Sequence, residues 1–412
     1  MTPMQLVRYI TMLAVTAGCS MSGCSAGEPK SAITIRDSAG ITLLDVDRDA
    51  APLLEAIDRD ASWTVDAIKG QPLFGVADAS YGHDGTLLIA EASTQQVARV
   101  VTRTGETETW GGVGDGPAEF RGLSRVFRLP GGRIGAFDRV RQRFVEYDLE
   151  RGLVGERTLP AVAPAGSMVK LIVPDSGPMF LTAITSFAPD GRSGAYRGTS
   201  PLVRLTAKPD TVTLLLGNTT FASEGIVGGV LFGSTSLTAA GMHGVWVGDT
   251  NGRMVQLYEN GQTPSMVIRW REARSRVLDE RRRRAFWNRL EEALPPDQKR
   301  QLKEMREKMV FADSTPAFGS LLAAPSGAVW IGSPIPPERQ LLDEPWPEQE
   351  WLVVDPVAGT AWRVSTPSGL RVHQVGNDFI LGVHRDELGV ESVRYHSVRL
   401  TTAPMRVPEG QE

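Results

Sequence analysis

The sequence predicts an all-β chain, a six-bladed β-propeller of four-stranded antiparallel blades. Three observations carry this: an internal repeat with a period in the forties, glycines at fixed turns of each repeat, and short apolar runs of strand length between them. The 412 residues hold 43 Gly and 27 Pro, a turn-rich composition short of what disorder or a collagen-like repeat requires. The clearest repeat aligns Asp84–Glu91 with Gly131–Asp138. Gly85/Gly132, Glu91/Asp138 and Gly105/Gly152 all stand 47 positions apart. Each unit reads as a Gly turn, an apolar strand, an acidic turn, an alternating strand and a second Gly turn, the grammar of an antiparallel meander. Later copies begin at Ser176, His243, Ser326 and Asn377, and the third and fifth lack the acidic turn residue. Units of this length point to propeller blades. Ile33–Arg36 and Ile41–Leu44 precede the first copy and are expected to complete the last blade, covering its open edge.

The loop Trp110–Phe120, followed by Gly131-Gly132 and Phe137-Asp138, resembles the NHL-type repeat. It is most similar to the bacterial "6-bladed beta-propeller" lipoprotein family, whose loop between blades reads G-x-x-G-x-G-P-x-E-F. Ile380–Val383 and Asp386–Glu391 are similar to that family's last blade. The resemblance spans roughly residues 33–403 and implies the fold, without implying a chemistry.

Residues 1–24 read as an export signal with a lipidation site. Arg8 is followed by the uncharged run Tyr9–Gly18, too short to span a bilayer, which needs about 20 residues. The only two cysteines follow, Cys19 and Cys24. Each sits after small residues as in a bacterial lipobox, and either can be the lipidated residue. Ser20 or Ser25 after the cysteine points to the outer membrane. Residues 25–32 read as a tether and 404–412 as a C-terminal tail. The expected address is therefore the bacterial cell envelope, anchored to the outer membrane and facing the periplasm or the cell surface. With no cysteine beyond position 24, the body must be held by its own core.

Residues 269–310 break the strand pattern. Phe286, Leu290 and Ala293, then Leu302, Met305 and Met309, recur at helical spacing. These predict a helical hairpin inserted between the fourth and fifth blades, with Pro296 at a natural first position. The insertion is rich in arginine, with Arg281–Arg284 as its densest run. This face either docks anionic lipid or an acidic partner, or is a solvated face diluted by its own carboxylates. The whole chain carries 44 Lys and Arg against 48 Asp and Glu, a formal charge of −4, so nothing favours a nucleic-acid partner.

Two sets of residues are candidate ligand sites. The strands preceding each Gly turn should line the central channel, and they carry Asp78, Arg125, Arg128, Lys170, Arg371 and His373. This weakly basic set suits a carboxylate or phosphate. A second set, Glu91, Asp138, Asp249 and His384 with Ser333, occupies one equivalent turn of the repeat. It could gather around one opening to hold a cation, or simply accept hydrogen bonds from its own turns. No catalytic residue, metal site or cofactor is expected. The functional expectation is a non-catalytic binding or assembly module for a small anionic ligand, a peptide or an envelope protein. The alternative is a metal-dependent, lactonase-like hydrolase of the six-bladed type, which would need Ca²⁺ and more oxygen ligands than these strands offer.

Overall fold

The computed structural model describes residues 32–162, 168–184, 194–223 and 226–400. Cys19, Cys24, the signal, the tether up to residue 31 and the tail 404–412 lie outside the described residues. The fold is mostly β. Among the described residues, six sheets of four to six strands and one two-stranded hairpin follow one another along the chain. The first sheet orders Val76–Tyr81, Thr86–Glu91, Gln96–Val101 and Thr107–Gly111, and the second Leu123–Arg128, Ile134–Asp138, Arg143–Asp148 and Gly152–Thr158. Both are plain antiparallel meanders. The later sheets begin with Met168–Ile172, Ser236–Ala240, Ser320–Ala323 and Leu370–Val375.

Strand alternation decides how the sheets pack. In the second sheet Val145 faces the first sheet and its neighbour Phe144 faces the third. Four further apolar layers repeat this arrangement, the last joining Phe379, Leu381 and Val393 of the sixth sheet to Leu87 and Ile89 of the first. Trp330 and Trp351 are about 1% exposed between the fifth and sixth sheets. Each such side chain contributes roughly 2–3 kcal/mol by leaving water.

The loop 110–120 is built as an inter-sheet wedge. Phe120 is fully buried between the first two sheets. Glu119 folds back so that its carboxylate accepts from the Gly116 N–H at 2.6 Å. A Cβ at Gly114 would collide with that same carboxylate. The glycines of this motif therefore leave room for the half-buried Glu119, a structural role.

Sheet size departs from the expectation of uniform four-stranded blades. Only the first, second and sixth sheets have four strands; the third and fourth have six and the fifth has five. The third grows because Asp210–Ser223 also pairs with Ile226–Leu231, which in turn pairs in parallel with Val310–Phe311. The others grow because the N-terminal segment runs across three sheets. Ile41–Asp47 pairs in parallel with Met266–Arg271 on the fourth sheet, with Ile33–Ser38 outside it. Leu53–Leu54 then joins the fifth sheet.

Completion of the last sheet is thus corrected: Trp63–Val65, not Ile33–Leu44, pairs with Glu391–Ser397. Trp63 supplies the reason. It stacks on Tyr395 at 5.2 Å and packs on Tyr81 at 5.3 Å, filling the seam between the sixth and first sheets.

The inserted helices are α1 (Glu280–Ala293) and α2 (Pro296–Lys308). The Asp279 side chain caps α1 by accepting from the Arg282 N–H. Phe286, Trp287 and Leu290 bury against Leu231 and Leu302. Within the arginine run, Arg282 turns inward to the carbonyls of Ser275 and Val277, and Arg283 to that of Leu278. Arg281, Arg282 and Arg284 are nevertheless exposed, and Arg283 is half-buried.

Candidate functional site

The opening strand of each of the six sheets contributes to one cavity of about 470 Å³, whose polar lining includes Asp78, Arg125, Arg128, Lys170, His373 and Gln374. The strands expected to be innermost are the ones that line it. Three of them carry an irregularity at the site. Register shifts occur between Val76 and Asp78, between Leu123 and Arg125, and between Val372 and Gln374. A bulge inserts one extra residue and re-aims its neighbours. Here it sets Asp78 and Arg125 on the cavity wall and makes His373 itself the extra residue.

Asp78 and Arg125 stand 47 positions apart, the repeat interval, so equivalent places on adjacent strands meet. Arg125 Nε donates to Asp78 Oδ2 at 2.9 Å, and the Val126 N–H donates to the same oxygen at 3.1 Å. His373 Nδ1 lies 3.4 Å from Asp78 Oδ1. Arg371 Nε donates to His373 Nε2 at 3.1 Å, which fixes the tautomer: Nδ1 carries the proton and faces Asp78. Burial pushes the Asp78 carboxyl up, but Arg125 and the His373 hydrogen bond outweigh it and hold it below the usual carboxylate range. Burial pushes His373 down, and Arg371 adds to the effect. The imidazole is therefore neutral at neutral pH, with both nitrogens engaged. That arrangement positions the acid; it leaves no free lone pair for general-base chemistry.

Lys170 is different. Nζ donates to the Thr238 carbonyl at 2.7 Å, a neutral partner. Burial, reinforced by Arg125 and opposed by Asp78, brings its ammonium down to about 7. A cation kept in a low-dielectric cavity on one backbone carbonyl is costly for the fold. Arg128 also faces the cavity but is matched by Asp84 at 3.3 Å.

The remaining predicted residues are not gathered here. Arg371 lies outside this cavity; it lines a neighbouring hollow of about 220 Å³ and reaches the Val76 carbonyl at 3.0 Å. Glu91 accepts from Ser93 and Thr94, backbone and hydroxyl alike, at 2.7–3.3 Å. Asp138, fully buried, accepts from the N–H groups of Arg121, Val140 and Arg141 at 2.8–3.1 Å. Asp249 accepts from Asn251 and pairs with Arg197 at 2.8 Å. His384, half-buried, packs over Gly369. These side chains fasten their own turns. Among the described residues no three of His, Cys, Asp or Glu cluster to hold a metal ion.

Sequence reasoning missed Gln374 and Thr238. Gln374 both accepts from the Tyr81 N–H at 2.6 Å and donates to its carbonyl at 3.1 Å, imitating a strand across the seam between sheets. Its place two residues before the turn of the sixth repeat was the available signal. Thr238 acts through its backbone and left no signal in its side chain.

No family model matches the chain, and no curated protein matches it in sequence. Among solved structures it is similar to a protein of Bacteroides fragilis described as exported, at 11% identity and a TM-score of 0.47, over 87% of this chain and 99% of that one. It is also similar to virginiamycin B lyase of Staphylococcus aureus, at 9% identity and a TM-score of 0.41, over 82% and 99%. A third is the Swd1 β-propeller domain of Myceliophthora thermophila, at 10% identity and a TM-score of 0.38, over 83% and 100%. No helix among the described residues is long and apolar enough to cross a membrane. The structural neighbours are β-propeller proteins.

Proposed function

We propose that the six sheets are the blades of one closed propeller and that the chain is a non-catalytic binding module, taking a small carboxylate or phosphate in the central cavity. The observation that carries this reading is Lys170: a buried amine hydrogen-bonded to a single carbonyl, beside Arg125, whose fold cost Asp78 offsets only in part. An anionic ligand would supply the missing charge, and the reading requires no cofactor. We further propose export and lipid anchoring through Cys19 or Cys24, with the membrane as a partner through that anchor. The hydrolase alternative would require oxygen ligands beyond Asp78 on the inner strands.

Calorimetry with citrate and inorganic phosphate, each against a Ca²⁺ titration, tests the site. The expected result is saturable binding of one of the anions at a single site, weakened at least tenfold in Lys170→Met. Stoichiometric Ca²⁺ binding with neither anion bound would reverse the assignment in favour of the hydrolase. Mass spectrometry of the mature N-terminus checks the anchor.

A further inference from the structure

A second cavity, of about 730 Å³, opens between α1, the turn Leu231–Gly233 and the segment Ser333–Gln340. It shares no lining residue with the channel cavity, and its lining is of two kinds. Part of it is apolar, formed by Phe232, Phe286, Met309 and Ile335. Phe232 holds a left-handed backbone, φ 58°, which is uncommon for a bulky residue. That turn sets its ring 5.9 Å from Phe286 and 6.2 Å from Phe311, so the wall is a fixed aromatic surface.

The charged lining is mainly basic, with Glu272 and Glu338 among the arginines. Arg276 donates to the Asn251 carbonyl at 2.7 Å and to the Ser314 hydroxyl at 3.2 Å. Arg282 donates to the carbonyls of Ser275 and Val277 at 3.2 and 2.8 Å. Both guanidiniums thus rest on neutral oxygens. The nearby carboxylate of Glu272 is shared between Arg48 at 4.0 Å and Arg253 at 3.9 Å. Two planar cations held in place on neutral oxygens, in a lining that also carries aromatic rings, leave their charge for a guest.

We infer that this cavity is a binding site for a single-chain anionic amphiphile, a long-chain fatty carboxylate, with its head on Arg276 and Arg282 and its tail along Phe232 and Phe286. The mixed chemistry of the lining argues for this occupant: a wholly apolar guest would leave the arginines unpaired, and a small hydrophilic anion would leave the aromatic rings in water. The volume lies in the range of small-molecule sites.

The test uses the full chain and cis-parinaric acid, a fluorescent fatty acid, at concentrations below micelle formation. Saturable one-to-one binding is expected, displaced by palmitate and at least tenfold less well by hexadecanol or octanoate. Arg276→Gln with Arg282→Gln should weaken it tenfold or more. Ala285→Trp, which fills the cavity from α1 without removing a charge, should do the same and guards against a folding defect in the double variant, with circular dichroism as the check. Citrate should not compete, which separates this site from the channel. Equal displacement by hexadecanol, indifference to both variants, or preference for an acidic peptide over palmitate would each overturn the assignment.

Discussion

The cavity cluster and the turn carboxylates are both sets of charged residues at repeat-equivalent positions, and they differ in how completely they are satisfied. Asp138 accepts three N–H donors from its own surroundings, and Glu91 uses both oxygens on Ser93 and Thr94. Lys170, a few strands away, has a carbonyl and nothing of opposite charge in hydrogen bond. In a repeat fold, a charge that recurs at one position is usually part of the scaffold. The informative charge is the one that the scaffold leaves unmatched.

The contrast is broken most severely by Asp138→Ala. Three part-buried N–H donors lose their charged acceptor, and stability measured by denaturant unfolding should fall by about 2–3 kcal/mol. Anion binding by the folded fraction should survive. Next comes Lys170→Met, expected to weaken anion binding tenfold, about 1.4 kcal/mol, while raising the thermal midpoint. A variant that loses stability instead would make Lys170 scaffold as well.

The pH dependence sharpens the same point. Native Lys170 releases its proton near 7, whereas the unfolded side chain does so near 10.4. Between these values the unfolded chain holds the extra proton, so this residue makes stability rise with pH across the window. Anion affinity should run the other way, several-fold stronger at pH 6 than at pH 8, and Lys170→Met should abolish the difference. The smallest effect is expected for Arg281→Ala on the exposed face of α1: a stability change within about 0.5 kcal/mol by thermal melting.

Much of the fold was readable because glycine turns and apolar runs are local signals. The interval of 47 that aligns Gly85 with Gly132 also places Asp78 beside Arg125, and the strands expected at the centre do line the cavity. The helices were readable from Phe286 and Leu290. What escaped depends on one residue or on distance. A bulge at His373 is a single insertion within an ordinary strand pattern. The three-residue strand Trp63–Val65 is too short to show alternation, and its partner lies at the other end of the chain. The depth of Lys170 is a property of six strands converging, which no one of them encodes. The turn acids Glu91, Asp138 and Asp249 stay out of the lining of the channel cavity, and each finds donors within its own turn.

The seam closed by Trp63 has a consequence for biogenesis. Ser62 and Ser397, 335 residues apart, meet through their hydroxyls at 3.0 Å. That strand has no partner until the final segment has been made, so closure is a late event with a large loop to pin down. During synthesis the early strands must therefore wait with a bare edge, and shielding that edge protects the chain from pairing with a neighbour before its own end arrives.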